Sequence, residues 1–195
     1  MQKPVNYNSN TTDPQDELLC HVTEDDKLIG PIKRRICHNE TSRPWHRTVH
    51  LYLFDKKGRL YLTKRSQNKD VVPGKWTVSA GGHVNSGQTY IEAVREETNE
   101  ELNLRIDFEI LGKINIEYET EREIITIFAA ITSKEPTIDK EETSKIKTFD
   151  LQKIIKKFKT EKFDLSINSR DSFRHIIKTG SLIKFWKKNF PTRSK

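Results

Sequence analysis

The sequence predicts a mixed α/β (α+β) fold, in which a mixed β-sheet lies between helices. Three observations predict this class. Segments that alternate between apolar and polar residues, as half-buried strands do, fill the first half of the chain. One segment with helical spacing separates them from a second group of strands, and helical segments close the chain. The length of 195 residues suits a single domain.

The predicted strands of the first half share this alternation and are rich in β-branched and aromatic residues. They are 17–23, 27–29, 46–55, 59–65 and 76–80. The turn Lys56-Lys57-Gly58 joins two of them as a hairpin. Pro73 and Gly74 break the chain before the last strand, which leads into Gly81 and Gly82.

A helix is predicted from Thr89 to Leu104, because apolar residues recur there at helical spacing on one side and acids lie on another. The remaining elements are predicted from the same two periodicities. They are strands at 106–118, 123–132 and 145–149, a short helix at 150–159 and a last helical region at 169–188 that is broken near Gly180.

The composition excludes several classes of protein. Charged residues make up 32% of the chain, but the two signs interleave, which is not typical of a disordered chain. No apolar run approaches the roughly 20 residues that span a bilayer. Residues 1–15 lack an apolar signal core and are expected to form a flexible leader, with 16–195 as the single domain. Two cysteines are too few for a disulfide scaffold, so we expect a cytoplasmic protein.

The net charge of +7 is concentrated at the C-terminal end of the chain. Residues 151–195 contain thirteen Lys or Arg and three acids, so the helices predicted from about 151 are strongly basic. Six Phe and Trp side chains lie among these charges, which favours helices docked on a core with a solvated basic face. A surface for nucleic acid or anionic lipid is the alternative, and we regard nucleic acid as the less favoured partner.

Glu97, Glu100 and Glu101 are the strongest candidates for chemistry. On a helix they lie at positions i, i+3 and i+4, so that their carboxylates gather on one face. Three anions repel one another unless a cation joins them. Mg²⁺ or Mn²⁺ is the natural partner, because hard divalent cations prefer carboxylate oxygens. A solvated acidic face is the common alternative for such a run.

The residues around these acids extend the pattern. The stretch GGHVNSGQTYIEAVREETNEELNL resembles the Nudix box, G-x5-E-x7-R-E-U-x-E-E-x-G-U, where U is a bulky aliphatic residue. Gly82 matches the first glycine and Leu104 the last aliphatic position, with all three acids in register. The resemblance implies a Nudix αβα sandwich, in which a loop–helix–loop holds metal against a diphosphate.

Four positions depart from the box. Gln88 replaces a Glu, Thr98 an aliphatic residue and Asn103 a Gly, although Asn tolerates the left-handed conformation of a helix end. Glu96 replaces the Arg that in the family pairs with the acids and orients the ligating Glu. Arg95 lies about 100° further round the helix and cannot substitute. Either another cation orients the acids, or metal affinity and rate are lowered.

The resemblance extends over roughly residues 16–175, through ELLCHVTEDDKLIGPIKRRICHNE and WHRTVHLYLFDKKGRLYLTKRSQNKDVVPGKWTVSAGGHV, to the isopentenyl-diphosphate isomerase-like branch of the Nudix family. In that isomerase three His and two Glu hold one divalent metal, and hydrolases of the branch often share the His positions. The matching residues here are His38, His46, His83, Glu121 and Glu123. Three more residues, Arg34, Arg65 and Lys69, match positions that contact the diphosphate.

The isomerase also needs a cysteine two residues before the third metal His. Here that residue is Gly81, and neither Cys20 nor Cys37 matches a catalytic position. Without an ionisable group there, protonation of an alkene has no evident agent. Because Glu97 also fills a Nudix metal position that the isomerase does not require, the sequence favours hydrolysis over isomerisation.

The sequence therefore predicts a metal-dependent hydrolase that cleaves a phosphoanhydride in a nucleoside diphosphate or related X-diphosphate, with Mg²⁺ or Mn²⁺ as cofactor. The general base is either a box Glu or Glu142, which resembles a loop acid found beside the site in such hydrolases. Two alternatives stay open, a true isomerase and a nucleotide-binding Nudix module without activity. A homodimer also stays open.

Overall fold

The computed structural model describes residues 13–38, 41–69, 72–160 and 163–191. Nine strands and five helices occur in this part of the chain. They are β1 (Leu18–Val22), β2 (Leu28–Lys33), α1 (Arg34–Cys37), β3 (Trp45–Asp55), β4 (Leu60–Arg65), β5 (Trp76–Thr77), β6 (Ala80–His83), α2 (Tyr90–Leu102), β7 (Glu109–Glu117), β8 (Arg122–Thr132), β9 (Thr143–Phe149), α3 (Leu151–Lys159), α4 (Ile167–Lys178) and α5 (Ser181–Asn189).

The sheet is built around the parallel pair β3 and β8, which are in register over their whole length, from Trp45 opposite Arg122 to Asp55 opposite Thr132. Along its other edge β3 meets β1, β6 and β4 in turn, all antiparallel. Strand β7 pairs with β8, β2 with β1, and both β5 and β9 with β4. The result is one mixed nine-stranded sheet.

Helices cover both faces of this sheet. Alternate residues of a strand point to opposite faces, and the two core clusters follow this rule. Tyr52 and Phe54 of β3 belong to the cluster that includes residues of α3, α4 and α5. Val49, Leu51 and Leu53 belong to the cluster that includes residues of α2. The predicted αβα sandwich is therefore confirmed.

Helix α2 is closed at both ends by local hydrogen bonds. The Thr89 side chain accepts a hydrogen bond from the backbone N–H of Glu92, and the Glu92 carboxylate accepts one from the backbone N–H of Thr89. Asn103 ends the helix with a φ of 52°, the left-handed conformation that the sequence anticipates at this position. Both ends of the acidic helix are thereby defined by its own capping residues.

The basic C-terminal segment folds as docked helices. Phe173 and Phe185 are buried in the core, and the Trp186 indole N–H donates to the Gly58 carbonyl at 2.9 Å, while the lysines of α3 and α5 stay on the outside. The predicted break is at Gly180, which has a φ of 76° between α4 and α5. None of the described helices has the length and apolar character needed to cross a membrane.

Several elements differ from the sequence prediction. The four-residue helix α1 was not expected, and β7 begins at Glu109 instead of residue 106. The strand predicted at 76–80 is divided into β5 and β6, and Gly81 and Gly82 lie inside β6 instead of beyond it. The cause is pairing, because Gly81 and Gly82 are in register with His50 and Val49 of β3.

The last residues of the predicted leader contact the domain. Residues 1–12 lie outside the described residues, but Asp13 is only 7% exposed and forms ion pairs with Lys69 and Arg34. The backbone N–H of Arg35 also donates to the carbonyl of Gln15. Composition does not reveal these contacts, because they depend on cations that lie far along the sequence.

Replacing Thr89 by Ala is expected to lower the free energy of unfolding by about 1 kcal/mol. The backbone N–H of Glu92 loses its acceptor, and the Glu92 carboxylate that accepts from the backbone N–H of residue 89 becomes less ordered. Urea unfolding measures the change. The matched variant Thr89→Ser keeps the hydroxyl and should stay within about 0.5 kcal/mol of the parent. Equal losses in both variants would show that the capping hydroxyl does not stabilise the helix.

Candidate functional site

A single cleft of about 440 Å³ brings together nearly all residues that the sequence singles out. The predicted residues that line it are Arg34, His38, Arg65, Lys69, His83, Glu97, Glu100, Glu101, Glu121, Glu123 and Glu142. His46 is completely buried behind these residues, with a ring nitrogen within 4.8 Å of ring nitrogens of His38 and His83. Residues separated by more than 100 positions in sequence therefore meet in one place.

Strand register assembles the His and Glu cluster. His46 on β3 lies opposite Glu123 on β8, and His83 on β6 lies opposite Thr48 on β3. Because residues 46 and 48 share one face of β3, the side chains of His46, His83 and Glu123 point to the same side of the sheet. His38 follows α1 directly and adds a third imidazole.

The ligand atoms of this cluster are close enough to share one cation. The three imidazoles offer nitrogen atoms within 4.8 Å of one another, and so do His46, Glu121 and Glu123 with their nitrogen and oxygen atoms. The Nε2 atoms of His38 and His83 are 3.0 Å apart, and His38 Nε2 is 3.6 Å from Glu121 Oε2. Such short separations suit convergence on a single ion.

Two buried atoms in the cluster lack hydrogen-bond partners within the described part of the chain, His46 Nε2 and Glu123 Oε2. His46 Nδ1 lies 3.1 Å from the Pro44 carbonyl, so it carries the proton and leaves the Nε2 lone pair directed at the cluster. Burial, with a further contribution from His38, lowers the pKa of His46 to about 3, which keeps the ring neutral as a ligand must be.

The burial of Glu123 also favours a bound cation at this cluster. Burial raises the pKa of Glu123 to about 7. A bound divalent ion would compensate the desolvated carboxylate. The donor set of three imidazoles and two carboxylates therefore fits a divalent metal, and the imidazoles favour a transition metal such as Mn²⁺ over Mg²⁺.

The three acids of α2 form the second cluster. Glu97 packs against β6 at Gly82, where even a Cβ atom would overlap the Glu97 carboxylate. The backbone N–H of Gly81 donates to Glu101 Oε1 at 3.4 Å. Glu100 is exposed at the cleft rim. An oxygen-only donor set of this kind suits Mg²⁺ or Mn²⁺.

Crowding shifts the pKa of each acid in the same direction. Burial followed by repulsion from Glu101 and Glu100 raises the pKa of Glu97 well above its usual value. Burial and then the charge of Glu142 raise the pKa of Glu101 to about 7. For Glu100, burial and the neighbouring Glu96 raise the pKa. The cleft thus contains more carboxyl groups than can be ionised together without a cost in free energy.

Strand β6 separates the two clusters. A Cβ at Gly82 would point at Glu97 of α2, whereas His83, the next residue, points to the opposite face with His46 and His38. Both clusters nevertheless line the same cleft. One short strand therefore lies between two ligand sets of different chemistry that line one cleft.

Three cations border the cleft, and two of them are held by carboxylates. Lys69 is buried and pairs with Asp13 and, at 2.5 Å, with Glu142. Arg34 lies 3.3 Å from Glu17 and 3.6 Å from Asp13, and its guanidinium donates to His83 Nδ1 at 3.3 Å. Arg65, at the end of β4, completes the set.

Glu96, the most serious departure from the box, lies on the exposed side of α2 and accepts a hydrogen bond from Gln88. It does not line the cleft. The charges of Lys69 and Arg65 instead act on Glu101 and lower its pKa, against the larger effect of burial. Positive charge thus reaches Glu101 from Arg65 and Lys69, and not from the helix position that holds the box Arg in the family.

Several cleft residues were not predicted, and two of them are Asp13 and His50. Asp13 had no signal in the sequence. His50 was interpreted as a strand residue, although it lies four positions after His46 on the same face of β3, and it lines the cleft. Alternation along HRTVHLYLFD could have identified it.

The NUDIX domain family model matches residues 44–169. A Nudix hydrolase of Deinococcus radiodurans is 40% identical over 94 residues, which cover 47% of this chain and 53% of that protein. An isopentenyl-diphosphate Delta-isomerase of Leifsonia xyli is 35% identical over 96 residues, covering 49% and 51%. The chain thus spans about half the length of these curated relatives.

A crystal structure of a Deinococcus radiodurans protein has the same fold, with a TM-score of 0.69 and 24% identity. The likeness covers 82% of this chain and 99% of that one. The relatives include both hydrolases and isomerases, as expected for the isopentenyl-diphosphate isomerase-like branch. This chain belongs to the Nudix family.

Proposed function

We propose that this protein is a divalent-metal-dependent hydrolase that cleaves a phosphoanhydride in a nucleoside diphosphate or a related X-diphosphate. One observation carries the proposal. The acids of α2, whose pKa values are raised by burial and crowding, share a cleft with Arg34, Arg65 and Lys69. Negative groups that need a cation thus lie beside positive groups that suit a phosphate.

The residues present fit two kinds of metal site. Glu97, Glu100 and Glu101 would hold Mg²⁺ or Mn²⁺ against the diphosphate. The second set, His38, His46, His83, Glu121 and Glu123, would hold a metal that accepts nitrogen ligands. When bound, the metal supplies charge neutralisation of the diphosphate and acidification of water.

The side chains of this chain perform the remaining tasks. Arg34 and Lys69 bind the phosphate oxygens after exchanging their carboxylate partner Asp13 for the substrate. A cleft carboxylate accepts the proton of the attacking water. Glu101 suits this role because its carboxylate lies inside the cleft, beside the backbone N–H of Gly81. Glu142 is the alternative base and is held beside Lys69.

Replacing Glu100 or Glu101 by Gln is expected to lower kcat/KM at least about 100-fold, because each change removes a charge that a cation needs. A panel of nucleoside diphosphates, dinucleoside polyphosphates and sugar nucleotides with Mg²⁺ or Mn²⁺ provides the assay. The matched control is Glu96→Gln on the exposed side of the same helix, which should change the rate less than about threefold.

A wild-type protein that binds members of the panel but hydrolyses none would instead be a nucleotide-binding module. The variant Glu96→Arg separates two accounts of the altered box. A higher rate would show that the missing Arg limits the enzyme, whereas an unchanged or lower rate is expected if Lys69 and Arg65 already supply the orienting charge.

The metal-free protein is expected to lose stability as the pH rises from 6.5 to 8.5. Glu101 and Glu123 have folded-state pKa values raised to about 7, so the folded state binds more protons than the unfolded state in this range. The expected loss is about 1 kcal/mol in urea unfolding with a chelator present. Below pH 6.5 His46 gives the opposite slope, because its pKa is lowered to about 3.

Saturating Mn²⁺ should abolish this loss, because the bound ion replaces the protons on the carboxylates. The double variant Glu101→Gln, Glu123→Gln should show little loss even without metal. Stability that is flat or rising over this pH range in the metal-free parent would contradict the assignment of these acids.

The complete His and Glu cluster favours one second candidate, isopentenyl-diphosphate isomerisation, which is the activity named for several relatives. Gly81 opposes it, because a Cβ there would lie 2.6 Å from the Val49 carbonyl oxygen and no thiol occupies this part of the cleft. Incubation with isopentenyl diphosphate decides between them. Formation of dimethylallyl diphosphate without phosphate release would overturn the hydrolase proposal.

A further inference from the structure

His50 is a cleft residue to which the family resemblance assigns no role. It lies on β3, on the face that carries His46 and Thr48, and it is 5% exposed. Its ring lines the same cleft as Glu101 and Glu123. A polar side chain in this position needs a reason, because burying an imidazole costs free energy unless it makes hydrogen bonds.

A buried hydrogen-bond network holds the ring on one side. His50 Nδ1 is 2.9 Å from Ser172 Oγ on α4, and the Tyr52 hydroxyl is 2.7 Å from the same oxygen. The Ser172 hydroxyl lies within donating distance of the Ser169 carbonyl at 3.1 Å. If Ser172 donates to that carbonyl, its oxygen accepts from both Tyr52 and His50, and all four groups are satisfied.

This proton arrangement determines the state of the other ring nitrogen. When Nδ1 carries the proton and donates to Ser172, Nε2 has a lone pair. Burial, reinforced by the charge of Arg65, lowers the pKa of His50 to about 3, so the ring stays neutral under ordinary conditions. His50 therefore offers a hydrogen-bond acceptor with a fixed orientation.

Gly81 leaves the accepting edge of the ring open. Gly81 is paired with His50 across β6 and β3, and a Cβ at this position would lie 3.2 Å from His50 Cδ2, the atom bonded to Nε2. The backbone N–H of the same glycine donates to Glu101 Oε1 at 3.4 Å. Gly81 thus lies next to both the imidazole of His50 and the carboxylate of Glu101, with no side chain of its own, and both acceptors line the cleft.

Two neighbouring acceptors are what one water molecule needs, because it has two hydrogens to donate. Building on the hydrolase proposed above, we propose that His50 is a further catalytic residue, whose Nε2 accepts a hydrogen bond from the water that attacks the diphosphate. Ser172 is a positioning residue that acts through His50. The resulting arrangement aims the water's oxygen lone pair away from both acceptors and into the cleft.

His50 is not changed by the reaction step. The water oxygen forms a bond to phosphorus, and the bond from phosphorus to the bridging oxygen breaks. The leaving group departs with that electron pair, and the water's proton passes to the cleft carboxylate that serves as the general base. His50 keeps its single proton on Nδ1 throughout, so it orients the water without taking its proton.

The test separates orientation of water from binding of substrate. In the full-length protein, His50→Ala is expected to lower kcat about 100-fold with KM changed less than about threefold. The affinity for a non-hydrolysable methylene-bridged diphosphate analogue, measured by calorimetry, should also stay within about threefold. Added imidazole should restore part of kcat. The control His175→Ala on α4, outside the cleft, should leave kcat unchanged.

Ser172→Ala should lower kcat less than His50→Ala does, again with the affinity for the analogue retained, because the ring then loses the bond that fixes its proton. Thermal unfolding monitors the fold of each variant. Should His50→Ala not fold, His50→Gln and Ser172→Ala take its place, with the same expectation of a loss in kcat and not in analogue affinity.

Three results would overturn the proposal. They are a folded His50→Ala variant with wild-type kcat, a loss that falls on analogue affinity instead of kcat, and a reduced kcat that imidazole does not raise. A wild-type protein that hydrolyses no diphosphate overturns the proposed function together with this one. An active wild type with an equally active His50→Ala variant overturns the role of His50 alone.

Discussion

Repulsion among carboxylates in one cleft is the constraint on which the rest of this structure depends. Glu97 and Glu101 pack against β6 with Glu142 close by. After burial, the charges of Glu101 and Glu142 raise the pKa of Glu97, and the charge of Glu142 raises the pKa of Glu101. Such an arrangement costs free energy in the absence of a cation. Gly82 makes it sterically feasible, because any side chain at this position would displace Glu97.

The pairing of the strands fixes the positions of the residues in this crowded cleft. The parallel register of β3 and β8 places His46 beside Glu123, and the antiparallel register of β3 and β6 places Gly81 beside His50. These positions are rigid because the same strands carry the core residues on both faces. Function and stability therefore depend on the same strands, with polar residues at one end of β3 and apolar residues along the remainder.

Local pattern and family resemblance predicted different parts of the site. Helical spacing alone placed Glu97, Glu100 and Glu101 on one face, and the structure has them along one cleft. His38 could be identified only by resemblance, because it follows a four-residue helix that has no periodic signal. The fold class was predictable from the order of strands and helices. Contacts between distant segments were not, since the ion pair of Asp13 with Lys69 depends on the complete tertiary structure.

The glycines and Glu96 show the same limit in another form. In the sequence, Gly81 stands where the isomerase has its cysteine. Only the pairing of the strands shows that Gly81 lies beside the ring of His50. Similarly, Glu96 is an added acid by sequence, yet it lies on the outer side of α2 beside Gln88. The side to which a residue points decides its effect, and that side is a property of packing.

The most direct test of the central claim is an anomalous difference map from crystals grown with Mn²⁺. We expect manganese peaks at one or both clusters. The peaks should lie about 2.1–2.4 Å from carboxylate oxygens of Glu97, Glu100 or Glu101, or from the ligand atoms of His46 and Glu123. A well-ordered cleft with no manganese at either cluster, in crystals soaked at millimolar concentration, would contradict it.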